Sequence, residues 1–247
     1  MRLIKLPLRM LGCGAAAAIA LGGVADAASL VVRTSGPSAA AYPPGKMLPD
    51  TARLVLKAND EIVLLDNKGT RTLRGPGNFS ALASAAVAAS NGTALAALVD
   101  QRSDRRVRIG AVRTVEGTAQ RPPNIWYIDS SRGGTVCIAD PAQAMVWRPD
   151  PDKEGSMIAS PAAGAAATIA WDAAQAVQPW PQALPLAEGA QYRIANGAAA
   201  PTTIKVTLVG TPPEDLQDMA QLLIRHGCTA QLDLLVTTTK AADAASQ

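Results

Sequence analysis

The apolar residues of this chain come in short β-branched runs cut apart by Asn, Asp, Gly and Pro, a pattern that favours stacked strands over long helices. Leu30-Val31-Val32 opens the series within 29–34, and Leu54-Val55-Leu56 and Ile62-Val63-Leu64-Leu65 follow. Asn59-Asp60 and Asp66-Asn67-Lys68-Gly69 flank the last of these. Such turn residues tolerate positive φ between strands. Thr70 to Leu73 continues as a strand, and Gly75-Pro76-Gly77 stops it. Further strands are expected at 107–112, 125–129, 135–139, 144–148, 168–171, 190–194, 203–209 and 230–236. The spacing predicts a mostly β chain of sandwich or barrel type rather than α/β layers.

Helices are expected in two places. Alanine-rich sequence from Phe79 to Ala89, ended by Asn91-Gly92, and a second piece at about 94–102 predict short helices near 79–102. The clearest helix lies at about 212–226. Thr211 stands as N-cap, Pro212 at the first helical position and Glu214 at the third. Leu216, Met219, Ala220, Leu222 and Leu223 share one face, and Gly227 supplies the stop. Pro149 to Gly164 has no periodicity. The expected organisation is therefore a β domain at 28–149, a linker at 150–166, a second β domain with one helix at 167–237, and a disordered tail at 238–247.

The start of the chain reads as a signal peptide over 1–27. Arg2, Lys5 and Arg9 precede an apolar stretch from Met10 to Val24, at about 15 residues too short to span a bilayer comfortably. Ala25-Asp26-Ala27 is an A-x-A cleavage pattern that makes Ala28 the first mature residue, or Ser29 if the cut falls one residue later. A periplasmic or secreted protein follows, with no stable membrane insertion after cleavage. Export permits a disulfide, and Cys137 with Cys228 is the one pair left; the alternative is two buried thiols.

Composition narrows the chemistry. The chain carries 23 basic and 20 acidic residues, a formal +3. Removing Arg2, Lys5, Arg9 and Asp26 with the signal leaves 20 against 19, so nucleic acid is not an expected partner. With 48% hydrophobic residues but one Phe and four Trp, the core must be built mainly from Val, Ile, Leu and Ala. A single histidine, His226, two residues from Cys228 at a helix end, argues against triad chemistry and most metal sites. Asp150 to Gly155 matches the first half of a calcium loop, but Pro161 stands where the bidentate Glu belongs. No metal and no cofactor are expected.

What remains is binding. Arg71 and Arg74 sit in the predicted hairpin, and Arg106 and Arg108 lie in the basic run that follows; together they form a candidate cationic face for carboxylate or phosphate groups. Trp126, Trp147, Trp171 and Trp180 all sit in or beside predicted strands and read as packing residues. The alternative is an exposed platform for a glycan, for which Trp180, between Pro179 and Pro181, is the candidate.

The stretch from Lys57 to Phe79, with EIVLLDNKGTRTLRGPGNF at its centre, resembles the FecR-type β domain of exported bacterial proteins. Asp66, Gly69, Thr70 and Arg71 match the family's D-x-x-G-T-R turn, and Gly75-Pro76-Gly77 its Gly-rich stop. Asn59-Asp60 replaces the family's Gly-Asp at the first turn. The resemblance implies a β module over about 30–147. Residues 169–194 are similar, more loosely, to the strands of an Ig-like or fibronectin-like module. The expected function is a non-enzymatic binding or scaffold protein of the envelope, engaging a protein partner through the FecR-like domain. Peptidoglycan or polysaccharide binding is one alternative. An envelope hydrolase using a carboxylate pair such as Asp129 and Asp140 is another.

Overall fold

The computed structural model describes residues 28–66, 69–82, 98–99, 121–197 and 199–245. The chain is mostly β. Its first unit comprises β1 (Ala28–Ser35), β2 (Met47–Pro49), β3 (Arg53–Leu56), β4 (Glu61–Asp66), β5 (Gly69–Arg74) and β6 (Gly77–Ser80). Strands β2-β1-β4-β5 form one sheet, and β3 pairs with β6 in a separate ribbon. The central strands β1 and β4 are buried on both faces, which is why their sequences are continuous apolar runs rather than alternating ones. Val31, Ile62 and Leu64 pack towards Leu54 and Leu56 of the ribbon. Leu30, Val32, Val63 and Leu65 belong to a different core, shared with the C-terminal helices.

The second unit comprises β7 (Ile128–Asp129), β8 (Gly134–Ile138), β9 (Met145–Trp147), β10 (Gly155–Pro161), β11 (Ala167–Trp171), β12 (Val177–Pro179), β13 (Gln191–Asn196) and β14 (Thr202–Leu208). A five-stranded sheet, ordered β11-β10-β13-β14-β8, and a three-stranded sheet, β12-β9-β7, enclose one core. Met157, Ile169, Ile194, Ile204 and Val206 come from the larger sheet, Ile128 and Val146 from the smaller. The expected linker at 150–166 is overturned: β10 occupies Gly155–Pro161 and pairs with both β11 and β13. Its alternating Met157 and Ala159 face the core, a period too sparse in apolar residues to read in sequence.

Two helices follow, α1 (Leu216–His226) and α2 (Thr229–Ala245). The N-cap of α1 is Asp215 rather than Thr211; its Oδ1 accepts from the N–H groups of Gln217 at 2.8 Å and Asp218 at 3.0 Å. Pro213 disfavours helical backbone at Pro212, which pushes the start past both prolines. The strand expected at 230–236 and the disordered tail expected at 238–247 are also overturned, since α2 runs through both as far as Ala245. Leu232, Leu235, Val236 and Thr239 fall at helical spacing and are buried. Thr237, Thr238 and Thr239 satisfy their hydroxyls on the carbonyls four residues back.

The helices pack on the first unit's sheet although they follow the second unit in sequence, with α2 against β5 and β8. Strand β8 therefore serves both cores: Val136 and Ile138 enter the second, Cys137 the helical one. Near 79–102, Phe79 and Ser80 lie in β6 rather than a helix, and Leu98-Val99 are helical. The rest of those expected helices, the strand at 107–112 and the signal peptide at 1–27 lie outside the described residues.

Candidate functional site

Strands β4 and β5 pair so that Leu64 lies opposite Arg71 and Glu61 opposite Arg74. Arg71 turns inward. Its Nη1 donates to the carbonyl of Ser80 at 3.1 Å, its Nη2 to that of Ala81, and its Nε is buried. Burial pushes the guanidinium below its ordinary pKa, against the raising influence of Asp66 and Asp50. Arg71, half-buried, is thus a tie between β5 and the end of β6, its guanidinium engaged by backbone carbonyls. Two carbonyls emerging at the end of β6 attract it, and they come from outside the hairpin that carries it. Arg74 is 69% exposed and ion-pairs with Glu61, Nε to Oε2 at 2.9 Å. Arg106 and Arg108 lie outside the described residues.

Trp180 is not an exposed platform. It is 6% exposed, donates from Nε1 to the Leu184 carbonyl at 2.7 Å, and meets the Tyr192 ring edge-on at 5.2 Å. The loop after β12 folds back as a turn, burying Trp180 with Leu184 and Leu186 in the second core. Tyr192 in turn donates to the Pro185 carbonyl, and burial raises its phenol pKa. Trp126, Trp147 and Trp171 are also buried.

The turn of the first unit is organised around Asp60, which is 2% exposed. Its Oδ1 accepts from the Ser38 N–H at 2.8 Å and its Oδ2 from the Lys57 N–H at 2.5 Å, while its own carbonyl accepts from Gly75 N–H. Burial works against the charged carboxylate, but the Ser38 and Lys57 donors and the Lys57 charge outweigh it, and the group titrates below its usual range. Asn59 adopts a left-handed φ of 68°, a conformation that Asn tolerates better than most residues. Gly36, at φ 97°, has no room for a side chain: a Cβ there would stand 2.5 Å from the Asn59 carbonyl oxygen. A Cβ on Gly75 would run into the Lys57 carbonyl.

Cys137 and Cys228 form a disulfide, with Cα atoms 5.8 Å apart and both residues fully buried. It fastens β8 to the turn between α1 and α2. Beside it Gln231 accepts from the Cys137 N–H at 2.7 Å and donates to the carbonyls of Cys137 and Ile125, each at 2.8 Å.

The carboxylates raised as a hydrolytic pair are engaged locally. Asp129 accepts from the backbone and hydroxyl of Ser131, and Asp140 from the N–H of Ala142. Asp129 also lies 3.9 Å from Arg132, which approaches Asp233 at 3.8 Å, and Asp233 pairs with Arg33 of β1. These alternating charges border a cleft of about 120 Å³ between β8 and α2. Arg132, Asp129 and Asp233 offset one another within that chain of charges, and Arg121 also lines the cleft.

A larger cavity of about 440 Å³ opens in the second unit, where the turn after β7, the segment joining β9 to β10, and the facing ends of β13 and β14 converge. Arg148, Asp150, Ser156, Ser130, Asn196 and Thr202 line it. Arg148 organises this corner. Nε donates to Gln175 at 2.8 Å, and Nη2 lies within reach of the carbonyls of Pro151 at 3.2 Å, Lys153 at 2.7 Å and Asp172 at 3.0 Å. Its guanidinium stacks 5.2 Å from the Trp171 ring centre. The carbonyls of 151 and 153, in the segment that mimics half a calcium loop, are therefore turned to a guanidinium. Among the described residues no group of three or more metal-ligating side chains occurs. No sequence signal marks this cavity, because its lining residues come from four separate segments. No protein-family model matches the chain, and neither a curated protein nor a solved structure is similar to it at a significant level.

Proposed function

We propose that this is an exported, non-catalytic binding or scaffold protein of the cell envelope, whose first unit is a FecR-type module engaging a protein partner. The observation that carries the reading is the distribution of exposed apolar side chains. Met47, Val55 and Leu82 of the first unit are three of the five large apolar residues exposed among the described ones. Val55, at 63% exposure, stands on the outer face of the β3–β6 ribbon. Apolar residues ringed by polar ones are the usual material of protein contacts. Asn59 and Asp60 support the family reading, since Asn59 takes a backbone conformation that glycine adopts freely. The disulfide supports the compartment, because buried bridges persist in oxidising surroundings.

The test is a pull-down from a detergent-solubilised envelope, with and without Val55→Lys and Arg74→Glu. Recovery of one protein, lost in the double variant, is the expected result. Recovery indifferent to both changes removes the first unit as the contact, and recovery of wall glycan alone replaces the protein-partner reading.

A further inference from the structure

We infer that the cavity beside Arg148 is a binding site for a neutral sugar unit of a glycan. The site uses no residue of the first unit, so it stands or falls independently of the protein-partner reading. Its size comes first: about 440 Å³ falls within the range of small-molecule sites, about 300–1,000 Å³.

Charge comes second. Arg148 and Asp150 are the charged side chains among its lining residues, one of each sign. The guanidinium is already surrounded by the carbonyls of Gln175, Pro151, Lys153 and Asp172, whose dipoles offset its charge. An anion would meet Asp150, and a cation would meet Arg148. The balance selects a neutral ligand.

Polar chemistry comes third. Arg148 Nη1 has no protein acceptor among the described residues and stands beside Gly155, where a Cβ would come within 3.1 Å of it. The Asn196 amide is oriented by its Nδ2, which donates to the Ser130 carbonyl at 2.8 Å, so its oxygen is left as an acceptor. Ser130 is 1% exposed, and its hydroxyl and that of Thr202 are buried without a partner on the protein. Unpaired buried hydroxyls are costly, and rotation about χ1 would turn each towards a polar ligand or its bridging water in the cavity. Donors, acceptors and groups that are both, beside the apolar lining residue Pro149, match a polyol with hydroxyls around an apolar ring face.

The experiment is saturation-transfer NMR on the full exported chain with N,N′-diacetylchitobiose, cellobiose and maltose, using tetramethylammonium and acetate as charged comparators. Two variants are read alongside. Thr202→Val removes a hydroxyl that has no protein partner, so the melting temperature should hold while sugar affinity falls about 3- to 10-fold. Ser156→Trp fills the cavity from an exposed strand position and should abolish binding. Binding of at least one sugar with both responses supports the site. Absence of transfer to every sugar at about 10 mM, binding indifferent to both variants, or uptake of tetramethylammonium or acetate in place of sugar each overturns it.

Discussion

The side chain of Gln231 behaves as a strand neighbour to Cys137, accepting from its N–H and donating to its carbonyl across the open edge of β8. Strand β14 occupies the other edge. An amide side chain on a helix thus completes a ladder position that no further strand among the described residues fills, and it does so within a buried neighbourhood.

Replacing Gln231 with Leu should cost about 2–4 kcal/mol, because the N–H of Cys137 and the carbonyls of Cys137 and Ile125 lose their partner in the interior. Gln231→Glu should do no better, since the acceptor survives while the donor to both carbonyls is lost and a charge is buried. Urea unfolding under oxidising conditions measures both. A loss below about 0.5 kcal/mol for Gln231→Leu would show that the edge does not need the amide.

The disulfide closes a separation of 91 residues. Chain-entropy arguments assign such a loop about 4–5 kcal/mol. Cys137→Ala with Cys228→Ala should lower the urea midpoint accordingly, and dithiothreitol should have no further effect on the double variant. Peptide mapping without reductant should recover the two cysteines in one cross-linked fragment.

Arg71 and Arg74 should separate cleanly. Arg71→Met leaves the carbonyls at the end of β6 without their donors and should destabilise by about 1–3 kcal/mol. Arg74→Ala removes an exposed ion pair and should change stability by less than about 0.5 kcal/mol. Equal losses for the two would contradict the inward placement of Arg71.

Asp60 predicts acid sensitivity of definite sign. Its folded pKa lies below the ordinary 3.8, so its stabilising contribution is complete above that value. The contribution is lost as pH falls from there through the lowered folded value. Asp60→Asn should therefore flatten the fall in melting temperature below about pH 4, and it should also lower stability at neutral pH. A variant whose melting profile parallels the parent's throughout acid pH would refute the assignment.

Much of the first unit was legible because its signal is local. The runs around Val31 and Leu64 are apolar on every residue, and that requires strands covered on both faces. Strand β10 escaped because Met157 and Ala159 alternate with exposed Ser156 and Ile158, which resembles a polar linker when read residue by residue. Helix α2 escaped because Leu232 to Val236 is short enough to fit either period, and its decisive member, Thr239, is polar. Site residues fared worst. Arg71 was read as part of a cationic face and Trp180 as a candidate platform from their neighbours in sequence, yet Ala81 and Tyr192, which engage them, lie 10 and 12 positions away. The cavity at Arg148 had no sequence signature, since its walls are assembled only by the pairing of β13 with β10 and β14.

Because β8 sends Val136 and Ile138 one way and Cys137 the other, its length is a quantity that neither unit can adjust alone. Adding or deleting one residue inside it would exchange the two sets of side chains, emptying both cores and carrying the thiol away from Cys228 in a single step. The turn at 162–166 carries no such double reference. Relatives of this chain should therefore vary freely in length at that turn while keeping the spacing from Gly134 to Ile138 fixed to the residue.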